Sequence, residues 1–242
     1  MPNHIATQIT VRGRRDLVDQ LVAQVKSTYK DEKGNEHESP FDFNKIIPMP
    51  ESLDIDEGSR GHDGMKYILA LAKESFDLTD DDRKVMERMS NLEKGSKEEF
   101  DETIELGRKY LRNIAEYGHP TWYGWSRMNW GTKWNCYDVE GDGLGNYSFN
   151  TAWCFAYPVI ERLSQMFPEL EIEFAYADED CGCNTGCGTF RNGELIGGEI
   201  PENCSDRAYE IYNQCHCTEN QLYKDDDGVW RWHDEDGEPE ED

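Results

Sequence analysis

The chain opens with apolar and β-branched residues at alternate positions. They are Ile5, Thr7, Ile9 and Val11. This alternation predicts a first β-strand that ends at Gly13. Apolar residues then recur at helical spacing between residues 14 and 28, which predicts an amphipathic helix packed on that strand. A second strand is expected over residues 41–47, where Pro48 ends it.

Long, charged and helix-favouring sequence follows between about residues 54 and 118, and we interpret it as a helical insertion. Thr79 and Ser96 each precede an acidic residue by three positions, a capping pattern that predicts two helix starts. Gly118 and Pro120 then predict the end of the last helix of the insertion.

The pattern after the insertion predicts a hairpin, a helix and a final strand. Aromatic-rich segments at 134–138 and 147–153 favour strands and flank a glycine-rich turn. Apolar residues at helical spacing over 159–167 predict a helix that Pro168 ends. The clearest alternation of the chain follows, with one face apolar and the other acidic: Leu170, Ile172, Phe174 and Tyr176 against Glu169, Glu171 and Glu173.

This order of elements predicts an α+β fold of the ferredoxin-like, split βαβ type, in which two helices cover one face of an antiparallel sheet. The name denotes topology and implies no iron–sulfur cluster. The predicted domain spans residues 1–198 and is interrupted by the insertion at about 54–118. A cysteine-containing extension over 199–224 and an acidic tail over 225–242, which we expect to be disordered, complete the chain.

The 51 acidic residues outnumber the 25 Lys and Arg, and the formal charge of -26 excludes several classes of function. A protein that binds nucleic acid by neutralising phosphates needs a basic surface, and an anionic membrane repels this chain as well. No apolar run reaches the roughly 18–20 residues of a membrane span, and the N-terminus lacks the pattern of a secretion signal. We therefore expect a cytoplasmic protein that makes no membrane contact.

Six of the eight cysteines lie close together in the sequence, and His216 stands between the last two. The six are Cys181, Cys183, Cys187, Cys204, Cys215 and Cys217. Thiolates suit zinc, so four of these residues could form a closed structural zinc site, although their spacing matches no standard ribbon or finger. Unligated thiols on a loop-rich segment are an equally open interpretation, and an iron–sulfur or redox role is a third. A disulfide scaffold is not expected in a reducing cytoplasm.

The densest run of aromatic rings lies between His119 and Trp134 and holds two cations, a local exception to the acidic background. Its candidate binding residues are Trp122, Tyr123, Trp125, Arg127, Trp130, Lys133 and Trp134. Rings and cations together can stack a nucleic-acid base or dock a protein. Burial at the open end of a small core is the more ordinary role of Trp and Tyr, and both interpretations stay open.

Three consecutive carboxylates, Asp178, Glu179 and Asp180, end the last predicted strand. A divalent ion or acid–base chemistry could use them, but neighbouring residues on a strand do not all point the same way, so a solvated turn is the favoured interpretation. The sequence holds no dinucleotide fingerprint, phosphate loop or zinc-protease motif. No catalytic residue is therefore assigned, and an enzyme is the less favoured class.

Several phrases of the sequence resemble a known family. They are residues 43–53 (FNKIIPMPESL), 118–125 (GHPTWYGW), 129–135 (NWGTKWN), 149–153 (FNTAW) and 177–180 (ADED). Over about residues 1–53 and 118–198 the chain resembles the YubB ferredoxin-like family, whose members phages and conjugative plasmids carry. The resemblance implies a ferredoxin-like fold and a mobile-element origin, and it brings no catalytic residues. The cysteine cluster after Asp180 and the acidic tail depart from the family's pattern.

Mobile-element origin and strong acidity together suggest a non-enzymatic accessory protein that binds and inhibits a host protein in the host cytoplasm. A counter-defence protein that presents carboxylates where a host enzyme expects the phosphates of DNA fits this description. Acidity that only keeps the protein soluble is the plainer alternative. Two further classes stay open. One is a module that binds single-stranded nucleic acid or a small ligand through the Trp-rich segment, and the other is a metal-dependent hydrolase or nuclease.

Overall fold

The computed structural model describes residues 3–30, 33–218 and 221–233. The chain divides into two compact units. Residues 1–48 and 129–242 form the first, here called the sheet unit, and residues 49–128 form the second, called the helical unit. The insertion that we expected at about 54–118 lies within the helical unit.

The helices and strands follow one another in this order along the chain. The first are β1 (His4–Arg12), α1 (Arg15–Val25), β2 (Ser27–Lys30), β3 (Glu36–Ser39), α2 (Ser59–Leu71), α3 (Asp80–Gly95), α4 (Lys97–Tyr117) and α5 (Trp122–Asn129). The later ones are β4 (Tyr137–Gly141), β5 (Asn146–Ala152), α6 (Tyr157–Met166), β6 (Glu171–Asp178), β7 (Gly186–Arg191), β8 (Glu194–Glu199), α7 (Asp206–His216), β9 (Leu222–Lys224) and β10 (Trp230–Trp232).

The main sheet of the sheet unit has the strand order β4-β5-β1-β6-β7-β8, and every neighbouring pair is antiparallel. Strands β1, β4, β5 and β6 with helices α1 and α6 form the split βαβ arrangement, so the predicted ferredoxin-like α+β fold is confirmed. Strands β7 and β8, which the sequence pattern did not predict, extend the sheet beyond β6.

Alternate residues of β1 and β6 build the core on one face of the main sheet. Ile9 lies opposite Phe174 and Val11 opposite Ile172 in the strand register, and all four side chains are buried. The ring of Tyr157, at the start of α6, packs against the ring of Phe174 with 5.8 Å between centres. Helices α1 and α6 contribute further buried apolar residues: Val18, Leu21, Val25, Val159, Ile160 and Leu163.

Helix α7 packs on the opposite face of the main sheet, which the sequence pattern did not predict. Ala6 of β1 lies opposite Ala177 of β6, and both pack in one buried cluster with Ala175 and with Ile211 of α7. The small side chains on the strands let the helix approach closely, and close packing stabilises this second layer. The extension expected over 199–224 therefore contains a packed helix.

The strand predicted over residues 41–47 is wrong. Phe43–Lys45 forms a 3-10 turn instead, because the Asp42 carboxylate accepts the backbone N–H of Asn44 at 2.9 Å. Asn135 holds the turn from the other side, since its Oδ1 accepts a backbone N–H of the turn at 3.0 Å. A short strand pair, β2 with β3, precedes the turn.

Part of the acidic tail that we expected to be disordered forms a hairpin, in which β10 pairs with β9. The Trp230 ring stacks on Tyr209 with 5.2 Å between centres, and its indole N–H donates to Asp206 at 2.9 Å. The rest of the tail, residues 234–242, lies outside the described residues.

Helices α2 and α4 of the helical unit touch backbone against backbone. A Cβ on Gly64 would stand 2.1 Å from the carbonyl oxygen of Thr103, and one on Gly107 would stand 2.3 Å from the carbonyl carbon of Gly64. Only glycine fits at such contacts. Beside them Tyr110 is fully buried, and its hydroxyl donates to the carbonyl oxygen of Asp56.

The predicted helix starts and the predicted helix end in the helical unit are confirmed. Thr79 Oγ1 accepts the N–H of Asp82 at 3.1 Å, and Ser96 Oγ accepts that of Glu99 at 3.3 Å. Gly118 takes the left-handed conformation, with φ of 77°, and ends α4. Within the described part of the chain, no helix combines the length and apolar character needed to cross a membrane.

Candidate functional site

The Trp-rich segment is divided between the two units. Helix α5 carries the first part in the helical unit, where Trp125 is buried. The rings of Trp122 and Tyr123 meet edge to face with 5.6 Å between centres. The guanidinium of Arg127 lies 5.4 Å from the centre of the Tyr123 ring, a cation–π contact. Trp122 and Tyr123 are half-buried, so a part of each ring is accessible.

Trp130, in the sheet unit, is a core residue. Its side chain is buried, and its indole N–H donates to the carbonyl oxygen of Ile47 at 2.9 Å. Its ring meets Phe43 edge to face at 5.9 Å. Burial with one polar tether is the usual use of tryptophan, and it fixes the segment that enters the sheet unit. A ligand cannot reach this ring without displacing the 3-10 turn.

Lys133 lies between two indole rings of the sheet unit. Its Nζ is 4.5 Å from the centre of the Trp134 ring and 4.7 Å from that of Trp153. The negative faces of both rings attract the cation. Trp153 is 37% exposed, so the pair formed by Lys133 and the Trp153 ring is accessible to a ligand.

Tyr137 and His4 continue the same group of rings. The Tyr137 ring lies 6.4 Å from that of Trp134 and 5.6 Å from that of His4, and its hydroxyl is 2.5 Å from His4 Nδ1. Burial and nearby carboxylates raise the pKa of Tyr137, which keeps the hydroxyl protonated at neutral pH. We call this group the aromatic row: Trp153, Lys133, Trp134, Tyr137 and His4.

The structure thus separates the seven residues that we predicted for binding. Lys133 and Trp134 belong to the aromatic row, Trp130 is a core residue of the sheet unit, and the other four lie on α5. A binding role for any of them stays a prediction. Trp153 and His4 were not predicted from the sequence, because strand pairing, which sets His4 opposite Ala152, brings together residues far apart in the chain.

Asp178 is buried at the end of β6, and both of its carboxylate oxygens accept hydrogen bonds. Asn3 Nδ2 donates to Oδ1 at 3.3 Å, the backbone N–H of Asp180 donates to Oδ1 at 3.2 Å, and Asn184 Nδ2 donates to Oδ2 at 3.2 Å. Glu179 and Asp180 are exposed, as in a solvated turn, whereas Asp178 anchors the loop. A metal-dependent hydrolase built on these three carboxylates stays a prediction.

The six clustered cysteines fall into two groups, of which the first is Cys181, Cys183 and Cys204. The backbone N–H of Cys204 donates to the carbonyl oxygen of Gly182 at 2.8 Å, so the two loops lie side by side. Burial, and then the neighbouring Cys204, raise the pKa of Cys183. Burial, with a contribution from the two neighbouring thiols, raises the pKa of Cys181 to about 11, so this residue is a protonated thiol at neutral pH.

The second group, Cys187, Cys215 and Cys217, lies where α7 meets the main sheet. Arg207 Nη2 donates to Cys187 Sγ at 3.6 Å, and Gln8 Nε2 donates to Cys217 Sγ at 3.8 Å. Cys215 is buried in the cluster beneath α7, and burial raises the pKa of its thiol. Cys215 therefore behaves as a small apolar core residue.

His216 does not join either group of cysteines. Its ring stacks on Tyr212 with 4.2 Å between centres, and its Nε2 is 2.9 Å from the carbonyl oxygen of Asp178. Among residues 3–30, 33–218 and 221–233, no group of three or more His, Cys, Asp or Glu side chains is arranged to hold a metal ion. The structural zinc site expected from the six cysteines stays a prediction.

Negative charge is concentrated in the sheet unit. This unit has 33 acidic and 13 basic residues, whereas the helical unit has 18 and 12. Within the sheet unit, residues 129–242 hold 26 acidic and six basic residues, and residues 1–48 hold seven of each. Exposed carboxylates of the acidic stretch include Glu140, Glu169, Glu194 and Glu202. Any site for a cationic partner is therefore expected in this stretch.

Comparisons with known proteins support the fold and leave the activity open. A family model described as "Ferredoxin-like domain in Api92-like protein" matches residues 129–219, the stretch that contains β4 to α7. A crystal structure of a protein api92 from Yersinia pseudotuberculosis is similar over 85% of this chain and 100% of that chain, at 9% sequence identity and a TM-score of 0.37. That likeness is too low to carry an argument. No curated protein matches the chain.

Proposed function

We propose that this chain is a non-enzymatic binding protein that inhibits a partner protein by presenting carboxylates of the acidic stretch 129–242 to a basic site. One observation carries the proposal, namely the 26 acidic residues against six basic ones in this stretch. Duplex DNA carries about one charge per 1.7 Å of its axis, so a strongly acidic surface is able to occupy the site of a DNA-handling enzyme. The resemblance to phage and plasmid proteins makes a host protein of the cytoplasm the expected partner, and counter-defence the expected role.

The uneven distribution of charge favours binding over a role in solubility. A surface that only needs to stay soluble intersperses both signs of charge, which is what the 18 acidic and 12 basic residues of the helical unit do. The stretch 129–242 does not balance its charge in this way. A surplus of like charges repels itself and destabilises the fold, so a surplus of this size is expected where a cationic partner offsets it.

Capture of the tagged full-length chain from a nuclease-treated lysate, at low and at high salt, tests the proposal. We expect one stoichiometric protein with a basic DNA-binding site, which high salt releases because its contacts are mainly electrostatic. The purified partner should lose its DNA-dependent activity when the chain is added. Retention that does not depend on salt, or a purified partner that stays fully active, would contradict the inhibitor role.

The aromatic row favours a second candidate function, the binding of a small ligand or a single-stranded nucleic acid. Trp134 and Trp153 flank a cation, and ring faces of this kind stack bases. Short single strands at low salt should then quench tryptophan fluorescence, and Trp134→Ala should remove the quenching. Trp122→Ala, a change in the helical unit, is the matched control and should leave it in place. Unchanged fluorescence in the unmodified chain contradicts this candidate.

A further inference from the structure

Two loops at the end of the main sheet are joined through their backbones. One connects β6 to β7, and the other connects β8 to α7. The backbone N–H of Cys204 donates to the carbonyl oxygen of Gly182 at 2.8 Å, and the N–H of Asn184 donates to Oδ1 of Asn203 at 3.1 Å. Each loop therefore fixes the position of the other.

Left-handed backbone conformations set the direction of the cysteines in these loops. Gly182, Asn184 and Cys204 have φ angles of 72°, 44° and 59°. Such angles are uncommon for residues other than glycine, and they occur where the surrounding structure determines the backbone. Together with the hydrogen bond from the Cys204 N–H to the Gly182 carbonyl, these angles bring Cys183 and Cys204, 21 positions apart in the chain, next to each other. Cys204 is exposed and Cys183 is partly exposed, so a small oxidant can reach the pair.

We propose that Cys183 and Cys204 form a reversible disulfide when the protein meets a hydroperoxide. The exposed Cys204 thiol loses its proton, and its sulfur attacks one peroxide oxygen. The O–O bond breaks, and the departing hydroxide takes up the proton that the thiol released, so the products are a sulfenic acid at Cys204 and water. The sulfur of Cys183 then attacks the sulfenic sulfur. The S–S bond forms, the S–O bond breaks, and the hydroxide leaves with the thiol proton as a second water. Two thiols have been oxidised and one hydrogen peroxide has been reduced.

The surroundings of the pair determine how fast it reacts. Burial, and then the neighbouring Cys204, raise the pKa of Cys183, so the attack of Cys183 on the sulfenic sulfur is slower at neutral pH than in alkali. A Cβ on Gly182 would stand 2.7 Å from the ring of Tyr209, so this ring packs directly against the loop after β6. Tyr209 belongs to α7, so a disulfide here ties the loop after β6 to the start of the helix that covers the second face of the main sheet.

The experiment counts thiols in the reduced full-length chain before and after hydrogen peroxide. All eight cysteines should react with a thiol reagent in denaturant before oxidation, and six should react afterwards, while dithiothreitol restores eight. Peptide mapping should place the new bond between Cys183 and Cys204. The oxidised chain should unfold at a higher temperature than the reduced chain, because the bond constrains the unfolded state.

Two single substitutions make the test specific. Cys204→Ser should keep all seven of its thiols under the same treatment, whereas Cys217→Ser, which removes an exposed cysteine of the second group, should still lose two. Circular dichroism of both variants should match that of the parent chain. The proposal is overturned if the parent loses no thiols, if the mapped bond joins other cysteines, or if Cys204→Ser loses two thiols as well. Zinc bound to the purified chain and protecting these thiols would overturn it too, in favour of a metal site.

Discussion

The helical unit and the sheet unit use their charged residues differently. In the helical unit, cations lie against carboxylates of neighbouring turns and helices. Examples are the pairs Lys66–Asp81, Lys73–Asp82, Arg88–Asp63, Lys97–Glu93, Arg108–Glu105 and Arg112–Glu105. In the sheet unit, 33 acidic residues share 13 basic ones, and ion pairs such as Arg12–Glu173 and Arg191–Glu171 leave a large surplus of carboxylates.

This difference separates two uses of acidic residues within one chain. Exposed ion pairs contribute at most about 1 kcal/mol each to the free energy of unfolding. Those of the helical unit therefore mainly keep its surface soluble and reduce the repulsion between charges on neighbouring helices. Surplus carboxylates repel each other and give no such benefit to the fold. The acidity of the whole chain is therefore a poor guide to function, and the acidity of residues 129–242 is a better one.

The largest effect is expected for Gly64→Val in the helical unit. The new side chain would meet the carbonyl oxygen of Thr103, since a Cβ there already stands at 2.1 Å. Overpacking of this kind destabilises by about 3 kcal/mol. Amide hydrogen exchange in α2 and α4 should become faster. Gly95→Ala is the control, because nothing lies within 4 Å of a Cβ at Gly95, and its exchange should stay as in the parent chain. Equal behaviour of the two variants would contradict the backbone contact.

A somewhat smaller loss of stability is expected for Ile211→Ala in the sheet unit. Ile211 is fully buried between α7 and the small residues of β1 and β6. Removing its side-chain atoms leaves a cavity, and such changes lower the free energy of unfolding by about 2–3 kcal/mol. Urea unfolding followed by circular dichroism measures the change. Glu210→Ala, an exposed position on the same helix, should cost less than about 0.5 kcal/mol. If Ile211→Ala left the free energy of unfolding unchanged, α7 would not pack on the sheet.

Alkaline pH is expected to weaken the sheet unit more gradually. Burial raises the pKa of Cys136 and Cys215, and it raises the pKa of Tyr147 to about 12. A thiol or phenol whose pKa is higher in the folded than in the unfolded chain stabilises the fold while it stays protonated. In the unfolded chain these groups have pKa values of about 8.5 for Cys and about 10 for Tyr. The stabilisation is complete below those values and is lost as the pH rises from them toward the pKa of the folded chain. Urea midpoints should therefore fall above about pH 8.5. The double variant Cys136→Ala with Cys215→Ala should show a shallower fall, and a flat profile in the parent chain would disprove the linkage.

The smallest effect is expected for Arg88→Met in the helical unit. Arg88 donates to both oxygens of Asp63, at 3.1 and 2.6 Å, but the arginine is exposed. The loss of unfolding free energy should stay below about 1 kcal/mol and should shrink further at high salt. A loss of several kcal/mol would show that ion pairs hold the helical unit together, and the contrast between the units would have to be drawn differently.

The pattern of apolar residues predicted those strands and helices that bury one apolar face in the core. The larger apolar residues of β1 and β6 recur at alternate positions because α1 and α6 cover that face of the sheet. Thr79, Ser96 and Gly118 mark helix ends by local chemistry. Helix α7 was missed because its partners on the sheet are Ala6, Ala175 and Ala177, which look like ordinary strand residues. Strands β7 and β8 are rich in glycine, which weakens any strand signal.

The candidate sites depended on contacts that a sequence does not display. Six cysteines close together in the chain suggested one cluster, but Cys183 and Cys204 lie in two paired loops, whereas Cys215 is buried beneath α7 with Cys187 packed against its cluster. The run of rings also suggested one surface. Its division at residue 129 follows from the boundary between the units, and Trp153 joins Lys133 only through the fold.

The most direct test of the central claim compares two sets of charge-neutralising substitutions in binding to the captured partner. One set changes four exposed residues of the acidic stretch to glutamine: Glu140, Glu169, Glu194 and Glu202. The control set removes four exposed charges from the helical unit, by Gln or Asn at Glu74, Asp77, Glu87 and Glu98. Because the contacts are electrostatic, we expect the first set to weaken binding roughly tenfold or more at low salt, which is a loss of about 1.4 kcal/mol of binding free energy. The second set should leave the affinity unchanged. Equal weakening by both sets, or by neither, would contradict the claim that residues 129–242 form the binding surface.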